Sequence, residues 1–465
     1  MQIFRAMTCR KSSDKRIANI FGGLLFLLIV YMVSAEPVRA ADHQTRNLDQ
    51  QQCATCPVPE IPRWGLAEIT ASHVIHTPLS ELPDKPQQGT DPLNLYAIAE
   101  AGDHYVTILD GDSLELLSRI KSRFALHGDA QYSPDGRYVY LASRDGWVSK
   151  YDLHSFKPVA EIRVGVNTRN IAVSSDGKWV MAGNFLPHSL VVLHADDLRL
   201  YRVIEVSDGN GTTSPVSAVY DAKPRTSFVV ALKDMKEIWE LSYDPDAAPI
   251  YGNFVHSFRK GQVEGVVVDE QPFGVRRIKV IDYMDEFFFD PAYAEVIGFA
   301  RNAKKALVYN LDARRRVGEL NLSGKPHLGS SIVFEYEGRT VMATPHLSEA
   351  AVSVIDMENW ETVKRIETLG TGFFMRSHVK TPYAWVGVFS GENRDVVQVI
   401  DKRTLEIVKT IRPEPGKTAT HVEFTRDGRY IFVSVWDIDG ALVIYDAATL
   451  EEIKRIPMHK PSGKY

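Results

Sequence analysis

Cysteine is scarce in this chain of 465 residues: there are three, Cys9, Cys53 and Cys56. The one close pair, Cys53-Ala54-Thr55-Cys56, is followed by Pro57, where covalent attachment of a c-type haem requires histidine, so no c-type haem is expected. A local disulfide, a plain pair of thiols, an assisted metal site and a redox dithiol stay open for it. The histidines do not fall in His-Glu-x-x-His or paired Cys/His spacing, which removes the ordinary zinc motifs. There is no Gly-x-Ser-x-Gly elbow, phosphate loop or dinucleotide fingerprint, so serine hydrolase, nucleotide and nicotinamide chemistry have no support. No clustered Lys/Arg face occurs either, and without one the counterion release that drives nucleic-acid binding is missing.

A long apolar run occurs once, from Ile17 to Ala35, behind Arg5, Arg10, Lys11, Lys15 and Arg16. That is the pattern of an export signal over residues 1–41, with small residues near Val38-Arg39-Ala40 for cleavage; an uncleaved anchor is the alternative. Beyond this signal no membrane association is expected. Its removal takes six basic and two acidic side chains from a chain of net charge −5, leaving an acidic body of about −9.

What is present is a repeat. An alternating apolar run ending in Asp recurs at Val106–Asp110, Val148–Asp152, Val352–Asp356, Val397–Asp401 and Leu442–Asp446, with weaker copies ending at Asp196, Asp244 and Asp312. Between copies lie Ser133-Pro134-Asp135-Gly136, Ser175-Asp176-Gly177 and Arg426-Asp427-Gly428, whose Asp-Gly pairs suit tight hairpins. Period-two strands joined by such hairpins every 42 to 45 residues predict one four-stranded blade per repeat. The fold expected is all-β, an eight-bladed β-propeller over residues 91–465, preceded by a loosely structured arm at 42–90. The stretch from Pro245 to Gly298 is longer than a blade connection needs, so it either covers the propeller mouth or extends a blade.

Propellers bind ligands where strand ends converge on the axis. His127, His327, His346, His378 and His421 are candidates there, each with a hydrogen-bonded structural histidine as its alternative. Haem iron needs only one or two axial imidazoles, a looser demand than a zinc cage. Arg144, Arg169 and Arg225 stand beside strand-like runs, where arginine either forks to a ligand carboxylate or bridges two blades.

From Leu95 to Tyr465 the sequence resembles the haem d1 propeller of cytochrome cd nitrite reductases and of the periplasmic proteins that mature haem d1. The passages carrying the likeness are His127 with Tyr132–Tyr138, Arg144–Trp147, Asn167–Asn170, Lys223–Arg225, Gly324–His327, Phe432–Trp436 and Pro461–Tyr465. The resemblance implies a periplasmic protein that holds haem d1 non-covalently, with His127 as iron ligand. It implies Arg144, Arg169, Arg225 and Lys233 on the macrocycle's carboxylates, and His327 as a proton-donating distal histidine. A second distal histidine is expected near Asp282–Phe287, and none is there, which puts nitrite reduction in doubt. Lacking a c-type haem domain, the chain looks closest to the haem d1 biosynthesis protein of the NirF type. The expected role is late haem d1 biosynthesis or delivery, with nitrite reductase and other haem d1 maturation proteins as partners, and oxidation of a haem d1 precursor as its chemistry if it is an enzyme. The alternatives are nitrite reduction fed by an external c-type cytochrome, and a cofactor-free interaction platform.

Overall fold

The structure, a computed structural model, describes residues 64–254, 265–269, 271–302 and 305–464. The expected export signal and the Cys53/Cys56 pair lie outside the described residues. Eight four-stranded antiparallel sheets follow one another along the chain, each adding strands outward from the axis. We number them blades 1 to 8. The innermost strands of blades 2 to 8 are Gln131–Tyr132, Asn167–Val173, Val216–Ala222, Met284–Phe289, Ile332–Tyr336, Gly372–Ser377 and Ala419–Phe424. Blade 1 is composite: its innermost strand is Pro461–Lys464, paired with Leu95–Glu100. The first and last strands of the propeller thereby share one blade and lock the ring, leaving only the short innermost edges facing the axis.

The apolar faces explain the ring. Among the described residues the core divides into eight clusters, one between each neighbouring pair of blades. Trp239 and Trp385 are fully buried in two of them. A single blade would leave both faces wet, so stability comes from stacking and closure rather than from any one sheet.

The repeated Asp is a turn cap at the end of the third strand of a blade. Asp110 accepts from Asp112 N at 3.0 Å, Asp152 from Ser155 N at 3.0 Å, Asp356 from Glu358 N at 2.8 Å, Asp401 from Arg403 N at 2.8 Å and Asp446 from Thr449 N at 2.8 Å. Four residues on, Leu114, Phe156, Trp360, Leu405 and Leu450 take the left-handed conformation, at φ between +57° and +61°. The weaker copies shift by two residues: the capping position is His194, Ser242 and Asn310, not Asp196, Asp244 and Asp312. Left-handed Leu198 and Arg314 stand four residues after His194 and Asn310, and the Asn310 side chain accepts from Ala313 N at 2.8 Å. The Asp-Gly hairpins join first and second strands as expected, with φ of +73° at Gly136, +71° at Gly177 and +75° at Gly428.

Two segments stand outside the plain four-strand pattern. Residues 64–90 are packed rather than loose: helix Leu66–Ala71 buries Ile69, and Val74–Ile75 adds a fifth strand outside blade 2. The long stretch after Pro245 contributes the hairpin of Ile250–Phe254 with Gly265–Asp269, then returns as Val275–Lys279, the outermost strand of blade 4. It extends a blade, at the third-to-fourth-strand turn, the end of the ring away from the strand starts that line the cavity described next.

Candidate functional site

Every blade interrupts its innermost strand near its start. In blades 3, 4 and 8 one residue is left without an opposite number: Arg169, Ser217 and His421. In blade 5 Asp285 and Glu286 stand against one partner residue, and in blade 7 so do Phe373 and Phe374. Gly463 is the extra residue of blade 1. In blades 2 and 6 the excursions are longer, opening after the bridges Leu126↔Ser143 and Pro326↔His346 and carrying His127 and His327. A bulge re-aims a side chain and strengthens local twist. Here Arg169, Ser217, Glu286, Phe373, Phe374, His421, Gly463, His127 and His327 all line one cavity of about 380 Å³ on the axis, within the range of small-molecule sites.

Blades 2 and 6 are half a ring apart, so His127 and His327 approach from opposite sides. His127 is held on both nitrogens: Nδ1 lies 2.7 Å from the Arg169 carbonyl oxygen, and Nε2 lies 3.1 Å from Arg169 Nη1. A carbonyl only accepts, so Nδ1 carries the proton and the Nε2 lone pair receives the guanidinium N–H. Burial, reinforced by the charges of Arg169 and Arg144, pushes this imidazole down to about 4, so at neutral pH it is an uncharged donor. Gly128, at φ +80°, turns the chain directly after it.

Arg169 Nε donates to Ser217 O at 2.9 Å, which fixes the guanidinium across the floor between blades 3 and 4. Arg144 stands on the loop beside them, and partial desolvation together with the charge of Arg169 lowers it from its ordinary value. Opposite, His327 Nδ1 donates to the Phe373 carbonyl at 2.5 Å and Nε2 faces Glu286 Oε1 at 3.6 Å. Its ring packs on Phe373 at 4.2 Å between centroids, Phe373 meets Phe374 at 4.5 Å, and Phe374 meets His421 at 3.7 Å. His421 has φ +48°, a strained conformation for a side chain of this size, and its Nε2 is 2.9 Å from Ser462 Oγ. One wall is therefore a continuous aromatic surface, the other basic.

The structure thus brings His127, Arg169 and His327 together, with Arg144 on the adjoining loop. It does not bring Arg225 in. That residue sits on the turn between the first and second strands of blade 4, at the other end, where it pairs with Glu240 at 2.8 Å and Asp312 at 2.8 Å. Lys233 stands on the second-to-third-strand turn of the same blade, 3.3 Å from Asp285, and does not line the cavity. Of the other histidines, His346 is fully buried against Ser353 at 2.9 Å, and His378 accepts from Lys380 N at 3.2 Å. Glu286, the Phe373-Phe374 pair and Ser462 were not singled out as site residues from sequence. Glu286 lies inside the segment where a histidine was sought, 41 residues before His327.

Among the described residues no group of three or more His, Cys, Asp or Glu side chains is placed to hold a bare metal ion. One neutral imidazole, an aromatic wall and fixed guanidiniums fit a metallated planar macrocycle bearing carboxylates. Fold and cavity together define an eight-bladed propeller with a ligand site at its hub. The "Cytochrome D1 heme domain" family description matches residues 90–259 and 247–465, and the chain belongs to that family. It is 52% identical over 407 residues to a dihydro-heme d1 dehydrogenase of Pseudomonas aeruginosa, spanning 88% of this chain and 78% of the relative. It is 28% identical over 389 residues to Protein NirF of the same organism, spanning 81% of this chain and 92% of the relative. A structure of the dehydrogenase NirN in complex with DHE superposes with TM-score 0.81 at 52% identity, covering 88% of this chain and 82% of that one. Judged on propeller residues, the dehydrogenase is the nearer of the two relatives, whereas the missing c-type haem motif had pointed toward NirF.

Proposed function

We propose that this protein binds haem d1 or its dihydro precursor non-covalently at the propeller hub and acts late in haem d1 biosynthesis, as a dehydrogenase of the dihydro form. The observation that carries the proposal is His127: an uncharged imidazole in the cavity wall whose Nε2 lone pair is met by the Arg169 side chain, opposite an aromatic wall, in a chain half identical to a dihydro-heme d1 dehydrogenase. His127 would hold the iron of a bound macrocycle through Nε2, in place of the Arg169 N–H. The Arg169 Nη1 group so released, and Arg144 on the adjoining loop, would meet the peripheral carboxylates. Phe373 and Phe374 exclude water from one side of the site.

Passing from a dihydro form to haem d1 removes two protons and two electrons. His421 is a cavity group able to take up a proton, and an external carrier such as a c-type cytochrome takes the electrons. The export signal expected over residues 1–41 supports a periplasmic location, and the proposed role would make proteins of nitrite reductase maturation its partners. Mixing purified protein with haem d1 and with its dihydro form should shift both absorption spectra, and the dihydro complex should convert when an electron acceptor is added. A His127→Ala variant that bound with an unchanged spectrum would sink the ligand assignment, and absence of any tetrapyrrole binding would sink the proposal.

A further inference from the structure

Both ring nitrogens of His327 face oxygen acceptors: Nδ1 the Phe373 carbonyl, Nε2 the Glu286 carboxylate at 3.6 Å. A neutral imidazole satisfies one such contact and sets a lone pair against the other oxygen. With a proton on each nitrogen, both contacts are attractive, and the cation is balanced by an ionised Glu286 at ion-pair distance. The pair is largely shielded from solvent, with side chains 15% and 20% exposed, so the attraction is less damped than on the surface.

The surroundings favour this arrangement. Glu286 is the second of the two bulged residues of blade 5, and it is the one of the pair that lines the cavity. Gly329, on the turn after His327, leaves it room: a Cβ there would lie 2.5 Å from Glu286 Oε1 and 3.5 Å from Tyr220 Oη. The other charged and titratable groups on the cavity wall are Arg169, Asp129, Tyr220, Arg376, His421 and His127. Arg376 is already engaged with Glu423 at 3.2 Å, and Arg169 with His127 and Ser217. A cation in an enclosed cavity is the natural seat of a small anion, and at His327 that seat is filled by the protein's own carboxylate.

We propose that Glu286 is the resident counter-anion of His327, holding the second proton on the imidazole and selecting against small inorganic anions such as nitrite at this side of the cavity. The inference deepens the assignment of the hub as a tetrapyrrole site, but Glu286 and His327 are a feature of the chain with or without a bound macrocycle. Glu286 is a positioning and selectivity residue, acting through His327.

The test uses the full chain, cofactor-free, with isotope-labelled histidine, and reads the ring nitrogens of His327, identified by their loss in His327→Asn. At pH 7 the wild type should show protons on both nitrogens. Glu286→Gln, whose amide can itself donate, should leave Nε2 as a bare lone pair, and Glu286→Asp should restore the proton. Titrating nitrite or azide should perturb the His327 signal in Glu286→Gln at concentrations about tenfold or more below those the wild type needs, since a like charge has been removed. Gly329→Ala, which displaces the carboxylate without removing it, should fall between. A wild-type Nε2 without a proton, or equal anion sensitivity in wild type and Glu286→Gln, overturns the proposal. The same anions titrated spectrally into haem d1-loaded protein give a second readout; failure of haem d1 to bind there would remove the functional proposal and leave the histidine result to decide this one.

Discussion

The two ends of the blades obey opposite rules. Where the third strand turns into the fourth, Asp110, Asp152, Asp356, Asp401 and Asp446 cap the turn in the same way and a left-handed residue follows at the same distance. Where the innermost strand begins, every blade breaks its pairing, and what is set loose varies around the ring: histidine in blades 2, 6 and 8, and arginine, serine, an Asp-Glu pair, paired phenylalanines or glycine in the others. Repetition marks what each blade needs to fold. Departure from it marks what the ring as a whole places on its axis.

That contrast is broken most directly at His127. His127→Ala should abolish axial ligation and weaken tetrapyrrole binding by an order of magnitude or more, checked by spectral titration, while leaving the unfolding midpoint close to wild type. The same imidazole sharpens the contrast through pH in the cofactor-free protein. Its folded value, about 4, lies below the ordinary 6.5, so the unfolded chain binds the extra proton first as pH falls. Above pH 6.5 the imidazole is neutral in both states and adds no pH dependence; between pH 6.5 and about pH 4 the fold loses stability progressively, on the order of 3 kcal/mol at full extent. Denaturant titrations at pH 7 and pH 4.5 should show a loss that His127→Gln, which cannot titrate, reduces.

Arg225 tests the other end. Arg225→Met leaves Glu240 paired with Arg276 at 2.8 Å, so the expected cost is about 1–2 kcal/mol rather than that of a fully orphaned buried charge. The haem d1 spectrum should not change; a changed spectrum would return Arg225 to the cavity. The smallest effect is expected at a repeat position: Asp401→Ala removes one turn cap, about 1 kcal/mol by denaturant midpoint, with binding intact.

The same distinction governs how much was legible in the sequence. Strand number, blade number and the Asp-Gly hairpins are local signals, readable because alternation and turn chemistry act within a few residues. The registers at His194, Ser242 and Asn310 were missed by two residues because an Asp stands nearby in each and attracts the pattern. His127, Arg169 and His327 were legible by family likeness. Glu286 and the Phe373-Phe374 pair were not, because a bulge is a miscount between two strands and neither strand shows it alone. Phe373 and Phe374 look like ordinary apolar strand residues until one partner residue, Gly387, has to oppose both. Arg225 was drawn toward the site because a strand end is visible in sequence, whereas which end of the blade it belongs to is not.

Ring closure sets an order of events. The strand Pro461–Lys464 pairs with Leu95–Glu100 across most of the chain, and it brings Ser462 to His421 and Gly463 to the cavity wall. Contacts so distant in sequence form late, because the loop they close is the longest. A ligand that enters at the hub therefore meets a finished wall only in a closed ring: the site acts as its own inspection point, and a molecule that stalled before its last strand would offer a wall open at Ser462 and Gly463.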